Sequence, residues 1–133
     1  MTFDDIRKAN ESIKTTDIKG KDYAEVNQRV KAFRMVYPEG AIHTELVSLE
    51  NGVCVFKAMV YANGDVTVDS LLATGHAYEK EGSSFINKTS YIENCETSAI
   101  GRALGFCGFG IDTSIASYEE FANAKMNQDE IDR

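Results

Sequence analysis

Hydrophobic residues recur at helical spacing in two stretches of the chain. The first stretch is carried by Tyr23, Val26, Val30, Phe33 and Tyr37, and the turn signal Pro38-Glu39-Gly40 ends it. The second is carried by Ile92, Cys95, Ala99, Ala103 and Phe106. Positions three and four residues apart lie on one side of a helix, so both stretches predict helices packed on a core. A looser pattern in residues 3–15 predicts a further helix, and 15–20 is expected to be a connector.

Two Asn-Gly pairs punctuate the β-rich sequence between the two helices. Asn51-Gly52 and Asn63-Gly64 are strong hairpin signals because both residue types tolerate positive φ. They predict three antiparallel strands near 41–50, 53–62 and 65–80. With two-residue turns, the core-facing residues are expected to be Val55, Met59, Tyr61, Ile42, Leu46, Val66, Val68 and Leu72. A slip of one residue exchanges this face with the one that carries Phe56 and Val60, and Gly75 indicates a bulge or bend.

The predicted fold is α+β: a helix followed by a three-stranded antiparallel β-meander and a long packed helix, a β-β-β-α core. Ser90 and Glu93 form a capping-box pattern at the start of the long helix. Ser117 and Glu120 form another, which predicts a short C-terminal helix to about Lys125. The domain organisation expected from these elements is an N-terminal helical arm at 1–19, a single domain at 20–126 and a polar tail at 127–133.

Small residues line the side of the long helix opposite its apolar stripe. They are Asn94, Thr97, Ser98, Gly101 and Gly105. A solvated helix face normally carries long polar side chains, and each interior glycine costs roughly 1 kcal/mol relative to alanine. A backbone of the same chain, a second chain or a nucleic acid is therefore expected to approach this face closely. The prediction is a homo-oligomer interface, and the alternative is packing within the chain.

The composition and charge of the chain restrict the functions that it can have. The chain has 133 residues and a net charge of −7, with most of the acidic excess towards the C-terminus. Cations outside that region form a candidate nucleic-acid groove, and ordinary solvated charge explains them equally well. The candidate nucleic-acid-binding residues are Arg29, Lys31, Arg34, Lys80, Lys88 and Arg102.

Catalytic and metal-binding patterns are weak. The three cysteines, Cys54, Cys95 and Cys107, have no Cys-x-x-Cys spacing, and the two histidines have no second ligand at metal spacing. No phosphate loop or serine elbow is present. We therefore expect no enzyme, no cofactor and no metal. An acidic start and the lack of a long apolar run predict a cytoplasmic protein with no membrane partner.

Several short motifs carry a family resemblance over roughly residues 20–112. They are Gly64-Asp65, Thr74-Gly75-His76, Thr97-Ser-Ala-Ile-Gly-Arg-Ala-Leu104 and Gly108. With them the chain resembles the phage single-strand annealing proteins of Erf and Sak type and their eukaryotic recombination-mediator relatives. Ser98, Gly101 and Gly105 depart from the helix motif, so Arg102 is the cation there that carries over.

The resemblance implies a function in phage or prophage recombination. Such a protein binds single-stranded DNA and anneals complementary strands without ATP. It works as a ring or filament of identical subunits in the bacterial host cytoplasm, and it needs no cofactor. An acidic protein of this size also fits a phage-encoded inhibitor that binds a host or defence protein. An enzyme acting on a small metabolite is the weakest alternative, because no pocket with convergent titratable groups can be recognised.

Overall fold

A computed structural model describes residues 2–82, 87–112 and 115–122, apart from the side chains of 87–89. It has a mixed α+β fold with a two-stranded and a three-stranded antiparallel sheet, so the α+β class is confirmed. The helices are α1 (Phe3–Asn10), α2 (Val26–Val36) and α3 (Asn87–Phe106). The strands are β1 (Thr15–Ile18), β2 (Lys21–Ala24), β3 (Ala41–Glu50), β4 (Val53–Tyr61) and β5 (Leu71–Lys80).

The N-terminal elements pack onto the rest of the fold. Ala9 of α1 lies in the hydrophobic core. Asn10 ties α1 to the end of α3, because its Nδ2 donates to the Gly108 carbonyl at 2.9 Å and its Oδ1 accepts from the Gly110 amide at 3.0 Å. The predicted connector at 15–20 is wrong: these residues enter the β1–β2 hairpin, whose turn at Lys19-Gly20 has positive φ at both residues. The expected boundary between 1–19 and 20–126 divides this hairpin.

Helix α2 begins at Val26, later than the apolar spacing indicated. Glu25 precedes it but makes no side-chain hydrogen bond to the first turn. The cap comes from the other end of the chain, where the Glu119 carboxylate accepts from the Val26 amide at 3.0 and 3.2 Å. A carboxylate at this position also favours the positive end of the helix dipole. Residues 118–122 form a helical turn, and the Ser117 hydroxyl accepts from the Glu120 amide at 3.3 Å as its pattern predicted.

The three-stranded sheet has the order β3-β4-β5. Asn51-Gly52 makes the expected tight turn, with Glu50 opposite Val53 and positive φ at both turn residues. A bulge at Val47 then shifts the pairing by one residue, so that Leu46 lies opposite Phe56. The expected core-facing layer is therefore wrong for Val55 and Met59. The buried, helix-facing residues of β4 are Cys54, Phe56, Ala58 and Val60, while Val55 and Met59 lie on the opposite face. Tyr61 is buried as expected.

The last strand is shorter than predicted. Residues 62–70 form a connection that contains a single 3-10 turn, Val68–Ser70, and β5 begins only at Leu71. Gly75 has a different role from the expected bend, because a β-carbon there would lie 2.5 Å from the Ala103 amide nitrogen and 2.8 Å from the Ala99 carbonyl oxygen. The glycine lets α3 lie directly on the sheet.

Helix α3 supplies much of the core. Cys95, Ala99 and Ala103 of its predicted stripe are fully buried, and Ile92 packs beside them, whereas Phe106 is 56% exposed. The backbone leaves helical values at Ser90, the predicted cap, with φ −131° and ψ 21°. In the part of the chain that the structure describes, no helix is long and apolar enough to cross a membrane. The predicted helix end at Lys125 and the tail at 127–133 lie outside the described residues.

Candidate nucleic-acid interface

The five predicted cations whose side chains the structure describes do not form one groove. Lys31 and Arg34 are exposed on α2, and Lys80 is exposed at the end of β5. Lys88 belongs to the first turn of α3, and its side chain lies outside the described part. Arg34 donates to the Gly40 carbonyl oxygen, and its guanidinium lies 5.3 Å from the centre of the Phe33 ring. Arg29 and Arg102 also have partners within the fold.

Arg29 is fully buried between α2, α3 and the segment 115–122. Its Nη1 donates to the carbonyl oxygens of Gly101 at 2.7 Å and Ile115 at 2.8 Å. β-carbons at Gly105 and Gly110 would lie 2.8 and 2.9 Å from the guanidine group, so the glycines provide room for it. Burial lowers the pKa of Arg29, and the negative charges of Glu119 and Glu120 oppose that shift. Arg29 supports the fold here, and its guanidinium does not reach solvent.

Arg102 makes an ion pair with Glu120 from the C-terminal helical turn. The Nη1–Oε1 distance is 3.2 Å, and about a third of each side chain is exposed. The guanidinium also lies 5.5 Å from the centre of the Phe106 ring. Phe121 from the same turn stacks on Tyr23 with ring centres 4.7 Å apart. Several contacts therefore hold segment 115–122 in place, and one of them is its ion pair with Arg102.

The small-residue face of α3 is largely covered by the chain itself. A β-carbon at Gly101 would lie 2.8 Å from Val26 and 3.3 Å from Ser117, and Gly105 faces Arg29. Ser98 is also buried, whereas Asn94 and Thr97 are half-buried. At Gly101, Gly105 and buried Ser98, the close approach that motivated an oligomer interface is thus met within the chain. Whether the protein forms oligomers stays a prediction.

A surface that the sequence reasoning missed is the face of the β3-β4-β5 sheet turned away from the helices. We call it the open face. Because paired residues share a face, the strand register arranges its side chains in rows across the sheet. The rows, each read from β3 to β5, are Glu50–Val53–Lys80, Ser48–Val55–Tyr78, Glu45–Lys57–His76 and His43–Met59–Thr74.

Each strand contributes a different chemistry to the open face. On β5, Tyr78 is 72% exposed and stands between His76 and Lys80, both exposed. On β4, half-buried Val55 and Met59 flank Lys57. On β3, the exposed side chains include Glu45 and Glu50.

The arrangement places an exposed aromatic ring between basic and apolar neighbours. The alternation His76-x-Tyr78-x-Lys80 was readable in the sequence, but its face follows from the β4–β5 register, and the bulge at Val47 decides which β3 residues share that face.

Thiol and metal chemistry have little support in the described residues. Burial, aided by nearby Cys54, raises the pKa of Cys95 to about 12, and burial raises that of Cys107 to about 11. The Cys95 thiol contacts the carbonyl oxygens of Cys54 and Ala77, both at 3.3 Å. Neutral buried thiols are poor nucleophiles. Among the described side chains, no group of three His, Cys, Asp or Glu could hold a metal ion.

Comparison with models of protein families identifies the family of this chain. A family model described as Slr1353 N-terminal dsRNA-binding domain-like matches residues 30–107, more than half of the chain. The chain belongs to this family. The match begins inside α2 and runs through β3, β4 and β5 to the residue after α3. No curated protein and no solved structure matches the chain.

Membership of the Slr1353 N-terminal dsRNA-binding domain-like family corrects the expected assignment. The resemblance to the phage annealing proteins is wrong as a family relationship, because the matching model is a different one. The residues that carried the resemblance have local explanations. Gly75, Ala99 and Ala103 allow α3 to contact the sheet, and Leu104 is part of the core. Small residues at these positions follow from packing, so they were weak evidence for a family.

Proposed function

We propose that the protein binds single-stranded nucleic acid on the open face of its three-stranded sheet. The observation that carries this proposal is the 72% exposed ring of Tyr78, held in the middle of a strand between His76 and Lys80. An aromatic residue of this size exposed on a regular strand buries little of its apolar surface. A base that stacks on the ring would cover that surface.

The exposed ring of Tyr78 favours single strands over a duplex. In single strands the bases are accessible, and proteins bind them by stacking on aromatic side chains while cations contact the phosphates. Tyr78 supplies a stacking surface, Val55 an apolar neighbour, and Lys57 and Lys80 the positive charge. Paired bases inside a duplex cannot reach such a ring.

The family description supports nucleic acid as the class of ligand, and it makes double-stranded RNA a second candidate. Proteins recognise duplex RNA mainly by its shape and through contacts to phosphates and 2′-hydroxyl groups. The exposed cations Lys31 and Arg34 on α2 would be the groups to contact a duplex. They lie on a different element from the open face, so variants can separate the two modes of binding.

Annealing of complementary DNA strands without ATP is the finer activity that we propose for this site. Annealing requires a strand to be held weakly enough to exchange partners, and a net charge of −7 keeps the overall attraction to phosphates low. The proposal assigns no catalytic residue, and a cytoplasmic location remains a prediction. A protein-binding inhibitor is the competing account if no nucleic acid binds.

Fluorescence anisotropy with matched probes tests the proposal. Labelled single-stranded DNA, single-stranded RNA and the corresponding duplexes are titrated with wild type and Tyr78→Ala at low salt. A stacked base contributes about 1–3 kcal/mol, so the substitution should weaken single-strand binding roughly five- to hundredfold. Phe3→Ala is the control, because Phe3 is 66% exposed on α1, away from the sheet. Equal binding by Tyr78→Ala and wild type would overturn the proposed site.

A further inference from the structure

The open face is electrically asymmetric from one edge to the other. Edge strand β3 carries the acids Glu45 and Glu50, whereas β4 and the opposite edge strand β5 carry Lys57 and Lys80. The row Glu45–Lys57–His76 and the row Glu50–Val53–Lys80 repeat the same order of charge. Adjacent strands lie about 4.8 Å apart, so the acidic edge is roughly 10 Å from the basic edge.

We infer that a bound single strand runs along β4 and β5 with its phosphates near Lys57 and Lys80, and that Glu45 and Glu50 keep its backbone away from β3. This inference rests on the proposed function and adds a path for the strand. A nucleic-acid backbone over β3 would pass two carboxylates in turn, whereas one over β5 passes a cation and the Tyr78 ring. Charges one strand spacing apart, about 4.8 Å, are closer than the Debye length of about 8 Å at physiological salt, so their attraction and repulsion are only partly screened.

The acidic edge also limits affinity. Glu45 lies directly opposite Lys57, so its charge reduces the positive potential that a phosphate meets at that lysine. Removing the carboxylate should therefore strengthen binding, although most substitutions in a binding site weaken it. An increase in affinity distinguishes this effect from damage to the fold, because damage would weaken binding.

Affinity measurements on charge variants test the path. Glu45→Gln should tighten single-strand binding about two- to fivefold, the range of one exposed charge interaction. Lys57→Gln should weaken binding by a similar factor and flatten the log–log salt dependence by up to about 0.7. Glu39→Gln is the matched control, an exposed acid in the turn before β3. Unchanged or weaker binding by Glu45→Gln would overturn the inference.

Photo-crosslinking provides a readout that does not depend on affinity. A benzophenone amino acid replaces Thr74 on β5 in one variant and Ser48 on β3 in another, both half-buried positions of the open face. We expect strong crosslinking to labelled single-stranded DNA from position 74 and little from position 48. Equal or reversed yields would contradict the path while leaving the proposed function intact. If wild type binds no nucleic acid in the anisotropy experiment, the proposed function fails, and the path with it.

Discussion

At the scale of single residues, a buried arginine determines how three parts of the molecule fit together. Arg29 projects from α2, donates to carbonyls of α3 and of segment 115–122, and lies beside Gly105 and Gly110. Glycine at position 105 lowers the helix propensity of α3, but it leaves room for the guanidinium. The hydrogen bonds of that guanidinium join the three elements. The sequence showed the glycines and the arginine separately but not that they belong together, because their contacts join residues far apart in the chain.

Replacing Arg29 should destabilise the fold strongly. Arg29→Met keeps most of the side-chain volume but leaves buried carbonyl oxygens without their donor, so the free energy of unfolding should fall by about 3 kcal/mol. Lys31→Met is the control, since Lys31 is exposed on the same helix. Urea unfolding followed by circular dichroism measures both variants. Equal midpoints for the two would contradict the structural role of Arg29.

The raised pKa values of two thiols, one buried and one half-buried, give a prediction about pH. Cys95 and Cys107 have raised pKa values of about 12 and about 11, so both hold their protons in the folded protein at pH 9. Unfolded cysteines ionise near pH 8.5. The contribution of these protonated thiols to the free energy of unfolding is therefore complete below that pH. It should be lost as the pH rises through the folded-state pKa values.

Ellman's reagent at pH 8 measures the accessibility of these thiols. We expect slow reaction of the folded protein and rapid reaction of all three cysteines in guanidinium chloride. Rapid stoichiometric labelling of the native protein would show that the thiols are exposed and ionised.

At the scale of elements, the periodicity of the sequence predicted most helices and strands. The errors arose where contacts between residues far apart in the sequence determine the structure. The pattern found α2, α3 and the Asn51-Gly52 turn. It missed the β1–β2 hairpin, whose strands are short and polar, and it began α2 too early because the cap is Glu119, far along the chain. It placed Val55 and Met59 on the same face as Ile42 and Leu46, because it did not include the bulged residue Val47, which reverses the alternation of β3 relative to β4.

Gly75 offers a test of the contact between α3 and the sheet. Gly75→Ala would push a methyl group against the backbone of Ala99 and Ala103, and backbone cannot move aside as a side-chain end can. We expect a loss of about 2 kcal/mol in the free energy of unfolding. Gly64→Ala is the control, because no heavy atom lies within 4 Å of its β-carbon position. A similar melting temperature for the two variants would show that the helix does not lie this close to the sheet.

At the scale of the whole molecule, function depends on which charges share a surface. Residue type selected six cations, but the fold buries Arg29, pairs Arg102 with Glu120 and separates Lys31 and Arg34 from Lys80. The open face combines the Tyr78 ring with Lys57, a cation that lies outside those six. Such a surface becomes visible only when the strand register is known, because register decides which alternate residues point away from the helices.

The most direct test of the open face is a map of where nucleic acid contacts the folded chain. Amide chemical shifts of isotopically labelled protein are recorded by NMR during titration with a short oligothymidylate at low salt. The account predicts the largest shifts along β4 and β5, centred on Lys57, His76 and Tyr78, with little change at Lys31 and Arg34 on α2. Shifts confined to α2, or no shifts at saturating oligonucleotide, would contradict the central claim that the open face of the sheet binds single strands.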